Sequence, residues 1–90
     1  MDKKQFIKEG LLITRRAIKI AEKQSVKLYV EFRLNNENVS DGHDFCLTHY
    51  CNDYKFRNRQ ITAYAFRDDP FAEIKSFLDR LEKDKTALII

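Results

Sequence analysis

At 90 residues the chain can bury one hydrophobic core but not two, so residues 1–90 read as a single globular domain. Apolar residues at 43% and charged residues at 34%, with seven Phe and four Tyr, exclude a disordered chain, and two Gly with one Pro exclude a loop-rich scaffold. No run approaches the ~20 apolar residues of a membrane span, and Met1-Asp2-Lys3-Lys4 does not open a signal peptide, so a cytoplasmic protein with reduced thiols is expected.

Asp2 and Gln5 are spaced as a capping box. Behind them Phe6, Ile7, Leu11, Ile13, Ala17, Ile18, Ile20 and Ala21 fall on roughly half of a helical wheel, which predicts a long amphipathic helix over 3–24. Gly10 lies inside that apolar arc, where it costs about 1 kcal/mol of helix propensity, so a close approach to a sheet is expected there. The outer face carries Lys4, Lys8, Arg15, Arg16, Lys19 and Lys23 with Leu12 among them. Residues 1–24 hold seven bases against three acids, residues 25–69 six against seven, and residues 70–90 four of each. The net charge of +3 therefore belongs to this helix, enough to steer an acidic partner but less than a dedicated nucleic-acid binder displays. A solvated face is the ordinary reading of such a stripe; a docking surface anchored by Leu12 is the functional one.

From Ser25 to Leu34 the period changes from 3.6 to 2, with Val26, Leu28, Val30, Phe32 and Leu34 on one face and Lys27, Tyr29, Glu31 and Arg33 on the other, which predicts a strand. Asn35-Asn36-Glu37-Asn38 predicts a turn, Asp44 to Tyr50 a second strand and Arg59 to Arg67 a third, and the short connections favour an antiparallel meander. Asp69-Pro70 predicts the start of a second helix over 70–84, with Asp69 as cap and Pro70 at the first helical position. Phe71, Ile74, Phe77, Leu78 and Leu81 form its apolar face, and Thr86-Ala87-Leu88-Ile89-Ile90 predicts a fourth edge strand or a tail tucked under a helix. The expected fold is a two-layer α+β sandwich of α-β-β-β-α order, both helices on one face of the sheet and the other face towards solvent.

This order of elements resembles the double-stranded-RNA-binding domain, a resemblance of topology over most of the chain that implies a weak nucleic-acid-binding role. That family sets lysines at the start of its second helix to grip phosphates, whereas the matching place here is Asp68-Asp69-Pro70-Phe71-Ala72-Glu73, whose carboxylates repel them. In size and Lys/Asn-rich character the chain is also similar to small inhibitor proteins of phages and mobile elements, such as anti-defence and toxin-immunity proteins.

His43, Cys46, His49 and Cys51 are of metal-ligating type, but on one strand Cys46 points opposite to the other three, so two semi-buried thiols and two ordinary histidines outweigh a small zinc module. A disulfide is not expected, because the rise of about 3.3 Å per residue holds Cys46 and Cys51 apart on an extended strand. No phosphate loop and no framed carboxylate pair is present, so neither catalysis nor a cofactor is expected. Tyr50, Tyr54, Lys55, Phe56, Arg57 and Arg59 interleave aromatics and bases around the second loop, the residue types that dominate interface energies. With Tyr29, Arg33 and Tyr64 on the open sheet face they form the expected partner surface. The leading expectation is a non-catalytic inhibitor or adaptor that binds a protein or protein–nucleic-acid complex. The alternative is a weak nucleic-acid binder using the helix stripe with Lys55, Arg57 and Arg59.

Overall fold

The computed structural model of the protein describes residues 1–34 and 42–84. The first helix, α1 (Lys3–Gln24), begins where Asp2 Oδ1 accepts the Gln5 amide at 2.8 Å, the forward half of the expected capping box. It ends at Ser25, whose left-handed backbone (φ 53°) turns the chain into the sheet while the amides of Ser25 and Val26 close on the Ala21 carbonyl.

Three seven-residue strands follow, β1 (Lys27–Arg33), β2 (Asp44–Tyr50) and β3 (Asn58–Tyr64), antiparallel and in the spatial order β1-β2-β3. Register sets Val30 against Leu47 and Leu47 against Ile61 on the helix side, and Tyr29 against Thr48 and Thr48 against Gln60 on the other. The second helix, α2 (Ala72–Lys83), lies beside α1 on the same face of the sheet and runs in the same direction, as the contacts Glu9 to Lys75 (3.6 Å), Arg16 to Glu82 (3.2 Å) and Gln24 Nε2 to the Glu82 carbonyl (2.6 Å) show. The expected α-β-β-β-α sandwich is thus present. The expected turn at Asn35 to Asn38 and the expected fourth strand over 86–90 lie outside the described residues.

Between the layers Phe6 packs on Phe71 (centroids 4.9 Å apart), Phe45 on Phe71 (5.6 Å), and Phe32 stands edge-on to both Phe6 and Phe45. Ile13, Ile20, Leu47, Ile74, Phe77 and Leu81 complete the core. Each such side chain contributes about 1.5–3 kcal/mol on burial, which is what holds two helices of modest intrinsic propensity on the sheet.

The end of β3, the start of α2 and the exposure of part of α1 differ from the sequence expectation. β3 stops at Tyr64 rather than Arg67, because the Arg67 amide turns back to the Tyr64 carbonyl at 3.0 Å. α2 starts at Ala72 rather than at Pro70, and the Asp69 carboxylate does not cap it: Asp69 and Pro70 form a turn closed by the Ala72 amide on the Asp69 carbonyl (3.3 Å). That turn aims Phe71 into the aromatic core, and burying its ring outweighs a cap of about 1 kcal/mol. On α1, Leu11 and Ile18 are each 56% exposed although they belong to the apolar arc. The sheet is three strands wide, and the part of the arc that reaches past β1 meets no described element.

A candidate binding surface on the open sheet face

Both helices cover one face of the sheet, so the alternation of each strand sends every second side chain to the opposite face, where no described element packs. Register aligns these residues in rows: Lys27, Tyr50 and Asn58; Tyr29, Thr48 and Gln60; Glu31, Cys46 and Thr62; Arg33, Asp44 and Tyr64. The central residues Cys46 and Thr48 are buried, and the aromatics stand around them, with Tyr29 at 50%, Tyr64 at 41% and Tyr50 at 40% exposure. Just beyond β3, the exposed Phe66 ring lies 5.5 Å from that of Tyr64.

The charges on this face already have partners. Arg33 Nε donates to Asp44 Oδ1 at 2.6 Å, an ion pair that raises the guanidinium pKa still further. Lys27 Nζ sits 5.1 Å from the Tyr50 ring centre, Arg67 lies 5.2 Å from that of Phe66, and Glu31 accepts from the Tyr29 hydroxyl at 3.5 Å. Lys27, Tyr50, Cys51, Asn52 and Arg57 line a shallow hollow at one end of the face.

The loop between β2 and β3 splits in two. Its backbone is tied by Cys51 N–H to the Arg57 carbonyl (3.0 Å) and Arg57 N–H to the Tyr54 carbonyl (2.9 Å), with Arg57 in the left-handed region (φ 64°). Lys55, Phe56 and Arg57 are exposed at the tip, Phe56 at 75%. Tyr54 instead turns inward: its hydroxyl meets His49 Nδ1 at 2.8 Å and its ring stands edge-on to the imidazole. Burial holds the Tyr54 hydroxyl above its ordinary pKa, against the opposing pull of Arg59, and burial lowers that of His49. The neutral pair is the favoured state at neutral pH, and the imidazole tautomer sets which of the two groups donates. Arg59, opposite His49 in the register, also lies on the helix side, its guanidinium 5.3 Å from the Phe77 ring centre. Of the residues expected to meet a partner, the structure therefore brings Tyr29, Arg33, Tyr50 and Tyr64 to one face and Lys55 and Arg57 to the adjoining tip, while Tyr54 and Arg59 pack into the domain.

The basic stripe of α1 is elsewhere. Lys4, Lys8, Leu12, Arg15, Lys19 and Lys23 are exposed on the side of the helix turned away from the sheet, so they cannot share one contact surface with the open face. Arg16 leaves the stripe for α2, where Asp79 and Glu82 hold it and the bond to Asp79 is the main cause of its raised pKa. His43, Cys46, His49 and Cys51 do not converge. His43 and His49 are buried, Cys46 Sγ faces Thr48 on the open side at 3.9 Å, and Cys51 Sγ lies 3.9 Å from Asp53. Both thiols are free, and among the described residues no three His, Cys, Asp or Glu side chains come together as a metal site.

Phe66 is the surface aromatic that sequence reasoning left out of the partner surface, although a signal for it existed: it follows Tyr64 at the same strand parity, just past the strand's end.

Fold and surface together define a small α+β domain whose aromatic-bearing sheet face is covered by no described element, and no described helix is long and apolar enough to cross a membrane. No family model matches the chain, and no curated protein or solved structure matches it either.

Proposed function

We propose that this protein acts by binding another protein across the open sheet face and the adjoining Phe56 loop tip, as a non-catalytic inhibitor or adaptor. The observation that carries this reading is the set of exposed rings Tyr29, Tyr50, Tyr64 and Phe66 on a face whose cations are engaged by Asp44 or by aromatic rings. Large rigid aromatics supply contact area at low entropic cost and anchor protein interfaces. A polyanion would meet Glu31 in the middle of the face and Asp44 in its last row, where Arg33 is already bound.

The test compares capture of partners from the organism's own lysate by the native protein and by a Tyr29→Ala/Tyr64→Ala variant of unchanged circular dichroism. A protein captured by the first and lost with the second supports the proposal. Equal capture by both places the contact elsewhere. Capture that depends on Lys8, Arg15 and Lys19 and disappears steeply with salt replaces it with nucleic-acid binding by α1.

A further inference from the structure

β1 is an edge strand, paired with β2 along one side and with no described element along the other. Exposed edges are commonly blunted by a proline, a bulge or an inward-pointing charge. β1 has none of these: all seven residues pair in register with β2, and the inward side chains Leu28, Val30 and Phe32 are apolar and only half buried. Above it, Ile7, Leu11, Thr14, Ile18 and Ala21 recur on α1 at alternating steps of four and three, the spacing of a helix that packs along its length on another. Leu11 and Ile18 in that stripe are the exposed members of the apolar arc. Between stripe and strand runs a mainly apolar groove of about 210 Å³, lined by Ala17, Ile18, Ala21, Leu28 and Val30 together with Thr14 and Glu22.

We infer that a second copy of this chain fills the groove, pairing β1 antiparallel with β1 about a twofold axis and packing α1 beside α1. Charge selects the register. Inward residues must oppose inward residues, so the axis passes through a residue of β1. An axis at Tyr29 sets Lys27 opposite Glu31 of the second copy, twice, and Leu28 opposite Val30. An axis at Val30 would set Lys27 against Arg33, an axis at Glu31 would set two glutamates face to face, and an axis at Leu28 pairs no opposite charges. An axis at Phe32 would set Glu31 against Arg33, but Arg33 is already held by Asp44, so Tyr29 is the one position from Leu28 to Phe32 about which the strand pairs opposite charges that have no ion-pair partner among the described residues. Leu28 and Val30, which flank Tyr29, line the groove with Ile18, so the same axis brings Ile18 beside its own copy. The result is a continuous six-stranded sheet in which both exposed β1 edges and both apolar stripes are covered, and in which the two open faces adjoin.

Sedimentation equilibrium of the full chain from about 1 µM to about 1 mM tests this, with circular dichroism as the control for folding. A monomer–dimer equilibrium is expected. Glu31→Lys, which opposes like charges twice, should weaken the dimer by about tenfold or more, and Lys27→Glu/Glu31→Lys should bring it back to within about threefold of the native value. Ile18→Glu, at an exposed helix position that tolerates charge in the monomer, should abolish it. A monomer at every concentration overturns the inference, as does a dimer indifferent to Glu31→Lys or to Ile18→Glu, or a double swap that fails to restore it. A chain lacking residues 85–90 that dimerises when the full chain does not would assign the groove to the C-terminal segment and equally overturn it.

Discussion

Phe32 of β1 reaches so close beneath Gly10 of α1 that a Cβ at position 10 would overlap the ring's Cζ and Cε1. The ring has little freedom to withdraw, since it stands edge-on to Phe6 at 6.4 Å and to Phe45 at 4.9 Å between centroids. Gly10→Leu should therefore lower stability by about 1–3 kcal/mol through overpacking, in spite of leucine's advantage of about 1 kcal/mol in helix propensity. In a Phe32→Ala background the same substitution should become neutral or stabilising. Chemical denaturation of the four proteins of this cycle measures the coupling, and a raised melting temperature for Gly10→Leu alone would contradict the close approach.

The Tyr54 hydroxyl is the hydrogen-bond partner of a His49 ring that is almost completely buried. Tyr54→Phe keeps the ring and removes only the oxygen, so the loss should be about 1–2 kcal/mol, the cost of an unpaired buried polar atom. Tyr54→Ala should cost more, since the edge-on ring contact with His49 goes too. Urea titration distinguishes this from a loop side chain that merely contacts solvent, for which both substitutions would be silent.

His49 also gives stability a pH dependence. Burial lowers its pKa in the folded protein below the ordinary 6.5, so between these two values the unfolded chain binds a proton that the folded protein refuses. The contribution is fully present above about pH 6.5 and falls as the pH drops through the lowered value. Melting curves between pH 7.5 and pH 5, approximate limits chosen to bracket the ordinary imidazole range, should show a decline that is smaller in His49→Gln. Parallel curves for the two proteins would mean that the imidazole titrates alike in both states.

Arg16 bridges the two helices through Asp79 and Glu82, but all three side chains keep substantial contact with water. Arg16→Ala should cost about 0–1 kcal/mol, and the difference from the native protein should shrink in high salt. Lys19→Ala, one turn further on and directed to solvent, should change stability by less than about 0.5 kcal/mol. A loss of several kcal/mol for Arg16→Ala would show that the bridge governs helix docking more than the buried face does.

For partner binding, the tip residues and the sheet tyrosines separate from the structural ones. Phe56→Ala with Arg57→Ala should leave stability within about 0.5 kcal/mol, and Tyr29→Ala with Tyr64→Ala should weaken binding by about 2 kcal/mol or more if these rings are anchors. Calorimetry at two salt concentrations reads the character of the contact, since an aromatic interface keeps its affinity where a phosphate interface loses it.

Helix α1, the α-β-β-β-α order and the split of β1 into an inward and an outward face are properties of local pattern, legible because a 3.6 or 2.0 period survives in whatever the segment packs against. The capping of α1 by Asp2 and the meaning of Gly10 were equally local. Even the inward direction of His49 was implied by its parity with Phe45 and Leu47. Tertiary structure decided the rest. Whether Tyr54 and Arg59 face a partner or the core depends on where the loop's backbone bonds fold it and on Phe77 of a helix that starts thirteen residues after Arg59. Asp69 lost its role as a cap because Phe71 had a larger free energy to gain in the core. Leu11 and Ile18 lie in the same apolar arc as Ile13 and Ala17, and one helix cannot record how wide the sheet beneath it will be. Burial is a property of what stands opposite a side chain, and for residues at the margin of a periodic face only the packed neighbours determine it.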